Sequence, residues 1–205
     1  MPRISLSIKE SIGDLLSIKK FIVYFSKSGE KNTDETLKVA KERADELGIR
    51  DILVASTRGI TALKTIEVFK GYNIFVISHV TGWKQVGAQE LTNEISNKIK
   101  DRGAKIVTTA HVFSGVNTAI QKEFDTMYPA GIIERTLKLF GEGMKVVVEI
   151  AAMATDAGVI PPNTDVIVIA GTSKGADTAV VIEPANSRRI FDTKIREIIT
   201  KPSDF

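Results

Sequence analysis

Alternation restricts the fold of this chain more than any other feature. Short runs rich in Val and Ile, at Ile22–Ser26, Ile52–Ser56, Ile74–Ser78, Ile106–Thr109 and Val166–Ala170, are separated by longer segments whose apolar residues recur at helical spacing. Such runs read as strands, and several are apolar at nearly every position, as parallel strands covered on both faces require. Leu37, Ala40, Ala44 and Leu47 share one face of a helix that Gly48 would end. Leu91, Ile95 and Ile99 mark a second helix, closing at Gly103, and Ile132, Ile133, Thr136, Leu137 and Phe140 a third, closing at Gly141. Val146–Ala157 gives a fourth, stopped by Gly158 and by Pro161-Pro162. Ala179–Glu183 follows its predecessor across a short loop and is expected to pair antiparallel. The pattern implies one α/β domain over residues 1–205, three layers (α/β/α) with a mostly parallel sheet and one antiparallel strand. A helical arm at 1–20 (Ile12, Leu15, Leu16) and a charged tail at 187–205 read as accessory to a core at 21–186.

Composition removes several function classes. With 43% hydrophobic residues and a mean hydropathy of +0.03, the chain can bury a substantial core and is neither disordered nor collagen-like. The absence of cysteine excludes disulfides, thiolate nucleophiles, iron–sulfur clusters and Cys-type zinc sites, and fits a reducing compartment. The net charge of +3 is concentrated in the tail, and no Lys/Arg run interleaved with aromatics suggests nucleic acid as a partner. Met144–Ile160 is interrupted by Lys145, Glu149 and Asp156, so it reads as a buried helix and not a membrane span. Without a signal-peptide pattern, the expectation is a soluble cytoplasmic protein with no membrane partner.

In parallel α/β sheets ligands bind beyond the carboxyl ends of the strands, which points to the loops Lys27–Thr33, Thr57–Thr61, His79–Gly87, Ala110–Asn117 and Gly171–Thr178. The sharpest signal is Ser56, Thr57, Arg58, Gly59, Ile60 and Thr61, where a strand runs into hydroxyls and a glycine and a helix opens. Amides at a helix N-terminus attract anions, the hydroxyls add donors, Gly59 permits close approach, and Arg58 supplies a charged fork. The competing reading is that Thr57 or Thr61 merely caps the helix and Gly59 permits the turn. Gly171-Thr172-Ser173-Lys174-Gly175 fits G-x-S-x-G, but a strand follows it and no histidine lies beyond His111, so it is no nucleophile elbow. No P-loop or G-x-G-x-x-G occurs. His79 and His111 each follow a strand and are expected to converge on one rim, where two ligands make a poor metal site; no metal is expected. Trp83, in the His79-Val80-Thr81-Gly82-Trp83 loop, is either a core or lid residue or a ring platform, with Phe113 as an opposing wall.

Two segments, in order, resemble the pyruvate kinase C-terminal α/β domain. Ile52–Ala62 (ILVASTRGITA) is similar to its strand–loop–helix, which typically reads "IVV-T-sG-TA". Glu149–Ala185 is similar to its ending, where a helix closing in Gly leads to a "GD-VVVVAG" strand, a Gly-rich loop and a last strand. The chain looks like a stand-alone archaeal-type version of the domain, a group carrying the STxGxTA loop. The resemblance implies that Ser56, Thr57, Gly59 and Thr61 hold a phosphate, with Gly171–Thr178, including Gly171, Thr172 and Gly175, as a covering loop, and that the chain can form homo-oligomers. The chain departs from the family in lacking the catalytic barrel, and in the inserts around Trp83 and Ala110–Tyr128.

The expected function is therefore binding of a phosphorylated small molecule without pyruvate kinase activity. Flavin mononucleotide (FMN) is the leading candidate: one phosphate suits a single anion loop, and His79, Thr81, Gly82, Trp83, His111 and Phe113 would surround a flat ring. The alternatives are a flavin-dependent or phosphosugar enzyme and a regulatory subunit binding a sugar phosphate.

Overall fold

A computed structural model describes residues 19–205, and the helix read at Ile12–Leu16 lies outside them. Seven strands form one sheet: β1 (Val23–Phe25), β2 (Asp51–Ala55), β3 (Asn73–Ser78), β4 (Lys105–Thr108), β5 (Val166–Ala170), β6 (Thr178–Glu183) and β7 (Lys194–Pro202), in the order β1-β7-β6-β5-β2-β3-β4. The expected antiparallel strand is β6, which pairs antiparallel with both neighbours; all other pairings are parallel. The α-helices among the described residues are α1 (Thr33–Leu47), α2 (Ile60–Val68), α3 (Asn93–Asp101), α4 (Val116–Phe124), α5 (Pro129–Lys138) and α6 (Glu142–Asp156).

The period of two along the strands divides the core. Ile167 and Ile169 of β5 join Leu37, Ala40, Ala62, Ile66 and Ile99 from α1, α2 and α3. Val166, Val168 and Ala170 of the same strand join Val147, Ile150, Ala151 and Ala154 of α6 on the other face. Each such Val, Leu or Ile side chain contributes about 1.5–3 kcal/mol on full burial, which is why α6 is apolar almost all round. No helix among the described residues is long and apolar enough to cross a membrane.

Two readings need correction. The Ala110–Asn117 stretch is not all loop, because α4 opens at Val116. The tail is not accessory: after a 3-10 turn at Ser187–Asp192 it supplies β7, which lies between β1 and β6. Its charges hid it. Glu183 takes ion pairs from Lys194 (2.7 Å) and Arg196, and Arg43 of α1 pairs with Glu197 at 2.8 Å, so a charged segment occupies the sheet with three of its four ions matched. Thr200, fully buried, donates its hydroxyl to the Val23 carbonyl at 2.6 Å and fastens the short edge strand β1.

Removing residues 187–205 would open the edge of β6 and detach β1. The truncated chain is expected to lose its cooperative thermal transition and to elute as aggregate, as circular dichroism and size-exclusion chromatography will show.

Candidate functional site

Because every strand except β6 points the same way, the loops 26–33, 56–59, 79–92, 109–115 and 171–177 all meet at one edge of the sheet. At its centre β2 carries Ser56 and Thr57 into α2. Neither Thr57 nor Thr61 caps that helix: its N-cap is Gly59, in the left-handed region at φ 86°, with no side-chain cap. Ser56 Oγ instead reaches inward to accept the Ala62 amide at 3.2 Å. Among the described residues, the amides of Thr57 through Thr61 find no acceptor in the protein. They form a set of free donors at the positive end of a helix dipole.

Gly59 also has a packing task. A Cβ there would lie 2.2 Å from Ile95 Cγ2 and 3.0 Å from Leu91 Cδ1, so the close approach is made by α3. Gly175 behaves likewise in the covering loop. At φ 70°, its Cβ would meet Thr33 Oγ1 at 2.4 Å and Glu30 Cα at 2.7 Å, so it lets the β1–α1 loop pack closely. Asp177, fully buried, completes that seat. Its Oδ2 accepts the Gly29 amide (2.9 Å) and the Thr172 amide (3.1 Å), and its Oδ1 accepts the Thr178 hydroxyl (2.9 Å). Thr33 Oγ1 takes the Ala176 amide at 3.0 Å. The β5–β6 loop is thus anchored at one end beside the loop of β2, while its tip turns through Ser173 at φ 65°. Around this edge Lys27, Lys31, Arg58 and Lys174 have no carboxylate within 4.0 Å among the described residues.

Towards β3 and β4 the two histidines converge as expected. Their ring centroids lie 5.3 Å apart, and Trp83, 46% exposed, stacks on His111 at 4.7 Å and 20°. Thr81 and Gly82 are exposed on the same loop. Phe113 does not oppose them; it is 1% exposed and packs in the core beneath, against α6. No group of three or more metal-ligating side chains occurs among the described residues.

Sequence reasoning missed the charged base of this cluster. His79 Nδ1 lies 2.9 Å from Glu90 Oε2, and Lys84 meets Glu90 Oε1 at 3.0 Å. Burial raises the Glu90 carboxyl, but His79 and Lys84 outweigh it and hold it below the ordinary range. Beneath His111, Glu149 of α6 is 2% exposed, with Phe113 N–H on Oε1 (3.1 Å) and Lys145 Nζ on Oε2 (2.7 Å). The Val80 amide donates to His111 Nε2 at 3.4 Å, so in the neutral ring the proton sits on Nδ1, 3.6 Å from Glu149 Oε2. Burial pushes the Glu149 carboxyl up, yet hydrogen bonding from His111 and the Lys145 charge bring it down to about 2. The signal available in the sequence was a carboxylate, four residues after a lysine, inside an otherwise apolar helix.

With this geometry in view, the family can be stated. Residues 34–182 match the family model described as pyruvate kinase, alpha/beta domain. The chain belongs to that family. Among solved structures it is similar to Cryptosporidium parvum pyruvate kinase in complex with ADP, at 15% identity and a TM-score of 0.37. The match covers 73% of this chain and 22% of that one, so the chain spans about a fifth of that protein's length. In this pyruvate kinase-type domain, the helix N-terminus after β2 and the Gly-rich β5–β6 loop stand on adjacent strands.

Two outcomes follow from the packing and the charges. Gly59→Ala should cost about 2–4 kcal/mol of stability in urea titrations, from overpacking against Ile95 and a strained φ, with part recovered when Ile95→Ala is added. Glu149→Gln should cost about 1.5–3 kcal/mol near neutral pH, the loss of a charged hydrogen bond that leaves Lys145 with Glu134 alone at 3.9 Å. The Glu149 carboxyl is depressed in the fold, so its stabilisation is complete above about pH 4.5 and is lost as the pH falls towards 2. The stability gap between wild type and Glu149→Gln should therefore narrow over that window.

Proposed function

We propose that the protein binds a phosphorylated small molecule at the carboxyl edge of its sheet, with the phosphate against the N-terminus of α2. The observation that carries this reading is the run of unpartnered amides at Thr57–Thr61, beside the unpaired cations Arg58 and Lys174. A dianion there would complete the amides, meet the helix dipole and supply the missing counter-charge. Thr172, in the neighbouring loop, adds a buried hydroxyl without a partner. FMN is the leading candidate, because the loop of the adjacent strand β3 carries Trp83 and His79, beside which a flat ring can lie. The chain itself is proposed to have no pyruvate kinase turnover, since a (β/α)8 barrel takes about 250 residues. That it is an archaeal-type form of the domain is a proposal resting on its Ser56–Ala62 loop.

A second reading, a sugar phosphate enzyme or effector-binding subunit, is favoured by one observation. His79 and His111 are each oriented by a carboxylate, Glu90 and Glu149, as an acid–base imidazole would be.

Calorimetry and tryptophan emission test the assignment. FMN should quench Trp83 saturably and bind more tightly than riboflavin, and Thr57→Ala and Arg58→Ala should each weaken FMN binding by about 1–3 kcal/mol. Equal affinity for FMN and riboflavin would remove the phosphate from the mechanism. Tight binding of a sugar phosphate without quenching would favour the second reading.

A further inference from the structure

A polar side chain at the rim of a site either pairs its donors and acceptors within the protein or leaves them for a ligand. Around the β3–α3 loop nearly every side-chain acceptor has a partner. Ser78 Oγ lies 2.6 Å from Thr108 Oγ1. Gln89 donates from Nε2 to the His79 carbonyl (3.0 Å) and the Thr81 hydroxyl (3.4 Å), and its Oε1 accepts the Leu91 amide at 3.1 Å. Glu90 divides its two oxygens between Lys84 and His79. His111 is fully engaged: Nε2 takes the Val80 amide, and Nδ1 faces Glu149.

His79 is the exception. Its Nδ1 is held by Glu90, whereas its Nε2 has no partner among the described residues, on a side chain that is 32% exposed. The carboxylate decides what that free nitrogen can do. A carboxylate accepts, so in the neutral ring the proton sits on Nδ1 and Nε2 presents a lone pair. Such a lone pair accepts from an alcohol O–H or an imide N–H, and offers nothing to a carbonyl or ether oxygen. Contacts with Trp83 and His111, at ring centroid separations of 5.1 and 5.3 Å, hold the ring in place. The ring is also near the phosphate loop. The Ser56 amide donates to the Ile77 carbonyl at 3.0 Å, so Thr57 and His79 leave neighbouring strands that stand about 4.8 Å apart.

We infer that His79 Nε2 accepts a hydrogen bond from the phosphorylated ligand beyond its phosphate, so that the ligand carries a hydroxyl or N–H donor there, while His111 only holds the His79 ring and Trp83 in position. This rests on the phosphate reading above and deepens it by giving the two histidines different parts.

NMR of the histidine ring nitrogens and calorimetry on the full chain test it. In mildly alkaline buffer the free protein should show the His79 proton on Nδ1 and a lone pair on Nε2, with the two histidines told apart by the His79→Phe variant. FMN or ribose 5-phosphate should move the Nε2 resonance. His79→Phe keeps a ring against Trp83 but removes the acceptor, and should weaken binding of the probe that carries the donor about three- to tenfold, the loss of one neutral hydrogen bond. FMN methylated on its imide nitrogen separates the two donors. If it binds the wild type more weakly than FMN, and the difference vanishes in His79→Phe, the imide N–H is the donor. If it binds like FMN while His79→Phe weakens FMN or ribose 5-phosphate, the donor is a hydroxyl. A proton on Nε2 would overturn the inference, and so would wild-type affinity of His79→Phe for both probes in a protein with wild-type circular dichroism. The phosphate reading fails by a different result, FMN bound no more tightly than riboflavin. A wild type that binds neither probe would overturn both.

Discussion

The two central strands, β5 and β6, have no exposed residue. Their Val, Ile and Ala side chains must find apolar partners above or below the sheet, and the rest of the molecule follows from that demand. α1 and α2 cover one face and α6 the other, and α6 pays no penalty for being apolar nearly all round because it is buried nearly all round. Six strands then run parallel, which gathers five loops at one edge. The edge is where backbone donors remain free, since α2 begins there without a capping side chain.

Around that edge the electrostatics are divided in two. Near β1, β2 and β5 the cations Lys27, Lys31, Arg58 and Lys174 stand without carboxylates among the described residues, beside free amides. Near β3 and β4 every charge is matched: Glu90 by His79 and Lys84, Glu149 by Lys145 and His111. An uncompensated positive region attracts an anion, whereas a compensated cluster in a low-dielectric setting holds aromatic rings in fixed positions at the cost of desolvating its ions. The same sheet edge thus offers an attractive half and a rigid half. Asp177 keeps the attractive half in shape by tying Gly29 and Thr172 to one buried carboxylate.

Much of this was legible in the residues. Val166–Ala170 and Ala179–Glu183 announced themselves as strands because both faces are buried and both must be apolar. The Ser56–Thr61 loop was legible because a strand, hydroxyls and a glycine in succession leave few local conformations. β7 was not legible: a strand three of whose ions are neutralised by Glu183 and Arg43 shows no apolar run, and the partners lie far along the chain. Nor was the role of Gly59, whose neighbour Ile95 comes from another helix, or the burial of Phe113 under α6.

By itself, then, the sequence determined the α/β class, the antiparallel pairing of β6 with β5 and most of the loops that gather at one edge of the sheet, because these depend on periodicity and on turns that neighbouring residues enforce. Only the tertiary structure decided which glycine faces a helix, which tail closes the sheet and which carboxylate sits under His111. Those are matters of contact between segments distant in the chain, and residues such as Glu149 and Thr200 acquire their meaning from what a fold brings against them.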